Sequence, residues 1–275
     1  SLTATNYAAS LSTGNAIVTA NLLGAVNLTK SGNGTLTLSG ANTYSGITAI
    51  GGGAISVNTA NSVTTPAPAG SSSLGVPSSV ANGTIAIGNG NQTGTLIYNG
   101  AASETSDRVI NLAGTTGGAT LDQSGTGALK FTSNFTATGN GVKTVTLQGS
   151  TVGTGEIAGI IPNSTGITAL NKSGTGTWIL SGNNTYNGAS TVNGGTLWVN
   201  GTHSGTGAWT VVSGATLGGA GIIPGRVTVS GIVSPGSTVN TIGTLTSSNV
   251  TWNGGASFAS ASTDWKFDLA SGSNN

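Results

Sequence analysis

Two stretches of this chain, 142 residues apart, repeat one another without a gap. Lys30 to Asn58 reads KSGNGTLTLSGANTYSGITAIGGGAISVN and Lys172 to Asn200 reads KSGTGTWILSGNNTYNGASTVNGGTLWVN, with 16 of 29 positions identical. A repeat of this size is one supersecondary unit that cannot bury its own apolar face, so neighbouring units must stack and share a continuous core. The chain is therefore expected to be an extended array.

Inside the unit apolar and polar residues alternate, as in Thr35-Leu36-Thr37-Leu38, and Lys143 to Leu147 and Arg226 to Val229 alternate in the same way outside it. A period of two buries one face of a strand and wets the other. Ser-Gly-x-Asn-Thr-Tyr then turns a corner, because Gly and Asn accept positive φ. Gly recurs every few residues and good helix formers are scarce, so no stretch reads as a helix. The spacing predicts three short strands per unit, ending at Leu38, Ile50 and Val57 in one copy and at Leu180, Val192 and Val199 in the other. Three strands with sharp corners describe one coil of a parallel β-helix. The expected fold is all-β, a right-handed parallel β-helix forming a single elongated domain over residues 1–275. At roughly 20–30 residues per coil it holds about 10–13 coils and is roughly 50–60 Å long. Asn42, Tyr44, Asn184 and Tyr186 are expected to build the corners, and Pro66 to Pro77 to form a loop excursion from the rod.

Composition narrows the function classes. Charged residues make up 5% of the chain, against about 25% in an ordinary globular domain. The 7 basic and 6 acidic residues are scattered singly, so nothing here draws nucleic acid or an anionic membrane surface. So little charge also removes the self-repulsion that keeps proteins apart, and self-association is expected. With no Cys there is no disulfide scaffold, zinc knuckle or thiol nucleophile. No apolar run approaches the ~18 residues of a spanning helix, so no membrane insertion is expected in this segment. The opening at Ser1, with no basic and apolar leader, predicts a mature exported segment.

Catalytic sets are sparse. Asp264, Lys266 and Asp268 share one face of an alternating strand, but i and i+4 lie roughly 13 Å apart, too far for either glycosidase geometry. Glu104, Asp107 and Arg108 form the other charge cluster and read as a salt bridge that anchors a loop. His203 is the sole histidine and cannot complete a zinc site without neighbouring ligands, so it reads as a loop residue. No cofactor, metal or catalytic residue is expected, and the chain is read as non-enzymatic. Thr-x-Thr occurs at Thr35, Thr144 and Thr244 without a coil-spaced interval, which argues against the periodic hydroxyl face of an ice binder. Among the tryptophans, Trp178 aligns with Leu36 and reads as apolar core, whereas Trp198 aligns with Ser56 and reads as exposed. Trp198 is thus the candidate surface contact.

The pattern K-S-G-x-G-T-x-x-L-S-G-x-N-T-Y-x-G followed by G-G-x-[LI]-x-V-N resembles the autotransporter-associated β-strand repeat of bacterial surface proteins. The stretch from Gly218 onward, through Ser234-Pro235-Gly236-Ser237, is similar to the segment that follows the last repeat in such proteins, which makes 218–275 a C-terminal passenger-like segment. The resemblance implies a β-solenoid placed extracellularly or on the outer bacterial surface after export. The leading expectation is a structural protein that self-associates into a surface layer, matrix or fibre. The alternative is a passenger adhesin that binds glycans or host surfaces, and a polysaccharide lyase or hydrolase is the remote third.

Overall fold

A computed structural model describes residues 1–64, 70–150, 152–238, 241, 243–253 and 257–258. Among them there is no helix, and the strands are two to eight residues long. They stack in parallel into three main sheets. One has eleven strands, from Asn15–Val18 to Thr246–Trp252, one has eight, from Glu104–Ser106 to Ser257–Phe258, and one has five, from Tyr7–Ser10 to Ile110–Leu112. The result is a β-solenoid of about 11 turns, and eleven rungs at about 4.8 Å give a stack roughly 50 Å long.

Alternation does what the sequence implies. In Gly94–Tyr98 and Thr168–Lys172 every second residue is buried, and the inward residues stack coil on coil. Leu36 lies beside Ile55, Ile55 beside Leu96, Leu96 beside Leu121 and Leu121 beside Leu147. Each is at most 3% exposed, so one apolar column runs along the axis and each backbone ladder is completed by the coils on either side.

The coil is shorter than the repeat. Thr35–Leu38 pairs directly with Gly53–Val57, and Leu28–Ser31 pairs with Thr48–Ile50. The strand expected to close a coil is therefore the first strand's partner in the next coil, and the repeat spans about one and a half turns. Both strands carry the same inward-outward pattern, which is why they stack. The two copies also sit on different sheets. Thr35–Leu38 belongs to the eleven-stranded sheet, whereas its counterpart Thr177–Leu180 belongs to the eight-stranded one. Spacing between copies is thus not a whole number of turns, and the corners of the two repeats face different directions around the rod.

Coils differ in length only at their corners. Leu36 to Ile55 takes 19 residues, Leu96 to Leu121 takes 25, and Ile55 to Leu96 takes 41. The long one contains the proline-bearing excursion; Pro66 lies outside the described residues, and Pro77 is buried. Unequal coils hide an outward column from any fixed-interval search. Thr95, Thr120, Thr146, Asn171, Thr191, Thr210, Thr228 and Thr251 stand beside one another in register. The column is one threonine wide: Thr144 and Thr146 stand beside Ala169 and Asn171, so the Thr-x-Thr pair itself does not repeat from coil to coil. Stacked Thr pairs of this kind contribute methyl and hydroxyl contacts of roughly 0.2–1 kcal/mol per pair.

Candidate functional site

Lys30 and Lys172, the first residue of each repeat copy, are fully buried. Lys172 ends its strand and Lys30 stands one residue before the end of its own, and the ammonium turns into the corner that follows. Lys30 Nζ donates to the carbonyls of Ser31, Gly32 and Gly52 at 2.8, 2.8 and 3.2 Å. Lys172 Nζ donates to Ser173, Gly174 and Gly194 at 2.8, 3.2 and 2.9 Å. In both cases the third carbonyl comes from the next coil, so one ammonium ties two turns together. Gly32 and Gly174 have φ of +72° and +67°, and a Cβ at either would meet backbone oxygen of the preceding coil at 2.2 and 2.5 Å. The Lys-Ser-Gly signature is a corner in which a cation takes the place of water for carbonyls that would otherwise be buried without donors. Burial lowers the Lys172 pKa to about 8, which leaves most of the population charged at pH 7. Lys143 and Gln123 do the same elsewhere, Lys143 to Gly114 and Gly139 and Gln123 to Gly125 and Gly127.

The corner residues are internal. Tyr44 and Tyr186 are 0% exposed, with their hydroxyls 2.7 Å from Thr48 Oγ1 and 2.9 Å from Ser190 Oγ. Asn42 Oδ1 accepts from the Leu22 amide and Asn184 Oδ1 from the Ile161 amide, both in the coil before. The two asparagines satisfy backbone at the turns, the two tyrosines bond buried side-chain hydroxyls, and all four are buried away from any ligand.

Trp198 is also buried, at 3%, which corrects its reading as an exposed contact. It lies outside the central apolar column, as its alignment with Ser56 suggests. The neighbouring coil covers it, with Gly218 alongside in register and so close that a Cβ there would sit 2.2 Å from the indole. Trp178 is held likewise over Gly155, where the corresponding distance is 2.4 Å. Trp198→Ala is accordingly expected to lower stability by about 2–4 kcal/mol through the void it leaves. Urea unfolding measures this, and an unchanged midpoint would contradict the burial.

His203 is packed between Tyr186 and Trp209, ring centroids 4.4 and 5.5 Å away. It lies in a loop, as expected, between the strands Thr196–Val199 and Trp209–Val211, but its ring is only 2% exposed and packs into the core. Burial holds its pKa down at about 4, against 6.5 when solvated. The unfolded chain therefore takes up a proton below pH 6.5 that the folded chain refuses until about pH 4. Stability present above pH 6.5 is lost as pH falls through that window, by roughly 2–3 kcal/mol. His203→Phe is expected to flatten this part of a stability-against-pH curve, and an unaltered slope would refute the assignment.

The remaining charges are structural. Arg108, 0% exposed, is the hub of the 41-residue coil. Its guanidinium donates to the Asn61 carbonyl and side chain and to the carbonyls of Leu74, Gly75 and Gly83, at 2.8–3.4 Å. The Asp107 carboxylate accepts from the amides of Val63 and Thr64, and the Ala60 backbone bonds to Glu104. The cluster read as a loop anchor does anchor the excursion, through backbone groups. Asp122 accepts from Gln148 and Ser124. Glu156 lies 2.9 Å from Lys130 and accepts from Ser181. Asp264, Lys266 and Asp268 lie outside the described residues. Among the described residues no group of three His, Cys, Asp or Glu could hold a metal.

The passenger-associated-transport-repeat family model matches residues 28–57 and 170–199. Both matches begin two residues before the buried lysine and end on Val57 and Val199, the last residue of a strand. The chain carries two passenger-associated transport repeats. Over 144 residues it is also 37% identical to the adhesin BmaC autotransporter of Brucella suis biovar 1 (strain 1330), a match that covers 50% of this chain. The chain spans about 4% of that relative's length. No solved structure matches. The invariant features of the two passenger repeats, Lys, Gly, Asn and Tyr, are the ones that close corners and bind coil to coil. The repeat is a device for building rod, and the corners its two copies share are internal.

Concave surface lies instead beside the excursion. A cleft of about 190 Å³ is bordered by Ser39, Ala41, Asn58, Thr59, Ser71 and Ser73. Its floor is rigid, since Ser73 Oγ donates to Asn58 Oδ1 at 2.5 Å and Asn42 Nδ2 donates to the Ser73 carbonyl at 2.8 Å. No charged group borders it.

Proposed function

We propose that this chain is a stretch of passenger rod, exported to the bacterial surface, that serves attachment without catalysis. The observation that carries the reading is the pairing of two passenger repeats with 37% identity to an autotransporter adhesin. A coil-stacked rod supports it, because each added coil extends a stiff, charge-poor shaft by about 4.8 Å without a new core design. The sequence alone put self-association into a layer or fibre first; kinship with an adhesin moves attachment ahead of it. The use of every described carboxylate in hydrogen bonds or an ion pair supports the non-catalytic part. Displaying the 275 residues on a non-adherent bacterium tests the proposal. Adherence to cells or to glycan-coated surfaces above the empty-display control is expected, together with no release of reducing ends from pectin, alginate or xylan. Display at full density without any gain in adherence would overturn it.

A further inference from the structure

Resting on that adhesion reading, we infer that the cleft beside the excursion is a binding site for a neutral sugar. Three observations point the same way. First, the cleft is lined by hydroxyls, an amide and the small residues Gly40 and Ala41, with no ionic group and no aromatic wall. A carboxylate or phosphate would find no cation there and an amine no anion, while the mix of hydroxyls with the apolar surface around Ala41 matches the mixed polar and C–H surface of a sugar. Each hydroxyl of a sugar both donates and accepts, which is what Ser, Thr and Asn offer in return.

Second, the lining divides its labour. Ser73, 1% exposed, spends its hydroxyl on Asn58 Oδ1 and takes the Asn58 amide and the Thr59 hydroxyl in return. That network fixes the Asn58 side chain by its oxygen, leaving the Nδ2 donor for a ligand, and the Ser71 hydroxyl stands on the same wall. Third, the wall is held by unusual means. The segment that bears Ser71 and Ser73 is carried by the one oversized coil, and that coil is pinned by the buried Arg108 through five hydrogen bonds. Placing a guanidinium at 0% exposure is costly, and it holds the Asn61 and Leu74–Gly75 backbone that flanks the polar wall. Preorganised donors lose little freedom on binding. The cleft is small and open to solvent, so the expected ligand is a single terminal sugar unit, and without a stacking ring the affinity is expected to be millimolar.

The test uses the whole chain. Backbone amide NMR titrations with neutral mono- and disaccharides, chosen from hits on a glycan array, are expected to shift Asn58, Thr59 and Ser71 to Ser73. Ala41→Phe fills the exposed rim without touching the core, and Ser71→Ala removes one donor. Each is expected to weaken binding at least tenfold while leaving the unfolding midpoint within error. Shifts that map elsewhere, an unaltered Kd in both variants, or no neutral glycan bound would overturn the inference. Bacteria displaying Ala41→Phe separate it from the parent reading. If they adhere as well as wild type, the cleft assignment fails and adhesion stands; if wild type itself does not adhere, the adhesion reading fails.

Discussion

Arg108→Met is expected to detach the excursion from the rod while leaving the coils on either side folded. The methionine fills much of the volume, but the carbonyls of Leu74 and Gly83 lose their donor, and those of Asn61 and Gly75 are left with only the Ser106 and Ser72 hydroxyls. Unsatisfied buried carbonyls cost about 1–3 kcal/mol each, and part of that is recovered when the loop opens to water, so a net loss of about 3–5 kcal/mol is expected. Lysine is no substitute, because a single ammonium cannot serve acceptors spread around a planar fork. Two measurements check this. Limited proteolysis should cut between residues 58 and 84 in the variant and not in wild type, and the urea midpoint should fall. A variant that resists protease as wild type does would show that Arg108 is not the anchor.

Lys172→Met is expected to cost about 2–4 kcal/mol, a large effect for a residue type that is usually exposed and dispensable. Three carbonyls on two successive coils lose one shared donor, and the thioether offers nothing in exchange. Lys30→Met should behave alike in the first repeat, where the geometry is the same. Lys130→Met is the control, since its side chain is 39% exposed and its ammonium pairs with Glu156. Surface pairs of that kind contribute about 0–1 kcal/mol. Equal midpoints for the Lys172 and Lys130 variants would contradict the corner role.

How much of this was legible in the sequence differs by residue for physical reasons. Period-two alternation gave the strands and their buried faces, because it depends on nothing beyond the strand itself. Coil length did not follow, since strands with the same pattern stack equally well as successive faces or as successive turns. Only the pairing of Leu36 with Ile55 decides. The alternation placed Trp198 off the central column, yet the glycine that lets a neighbouring coil cover it stands twenty residues away, at Gly218. His203 lies one turn beyond the corner that carries Asn184 and Tyr186, a correspondence that unequal corners conceal. The lysine cage had a signal, a lysine opening each repeat before Ser-Gly. Its meaning appears only when Gly52 and Gly194 arrive from the next turn. The cleft had none, because it joins a corner at Ser39 to an excursion at Ser71.

The placement of the cage, the covered tryptophan and the cleft all depends on one register of unequal coils, and a cysteine-free chain allows it to be measured directly. Thr95→Cys and Thr228→Cys place two spin labels on the outward column of the eleven-stranded sheet, six rungs apart. At about 4.8 Å per rung their anchor points are separated by roughly 29 Å. Pulsed electron spin resonance is expected to return one narrow distance distribution around that value. A broad distribution, or a narrow one displaced by several rungs, would mean that the coils do not stack in this register and would contradict the account.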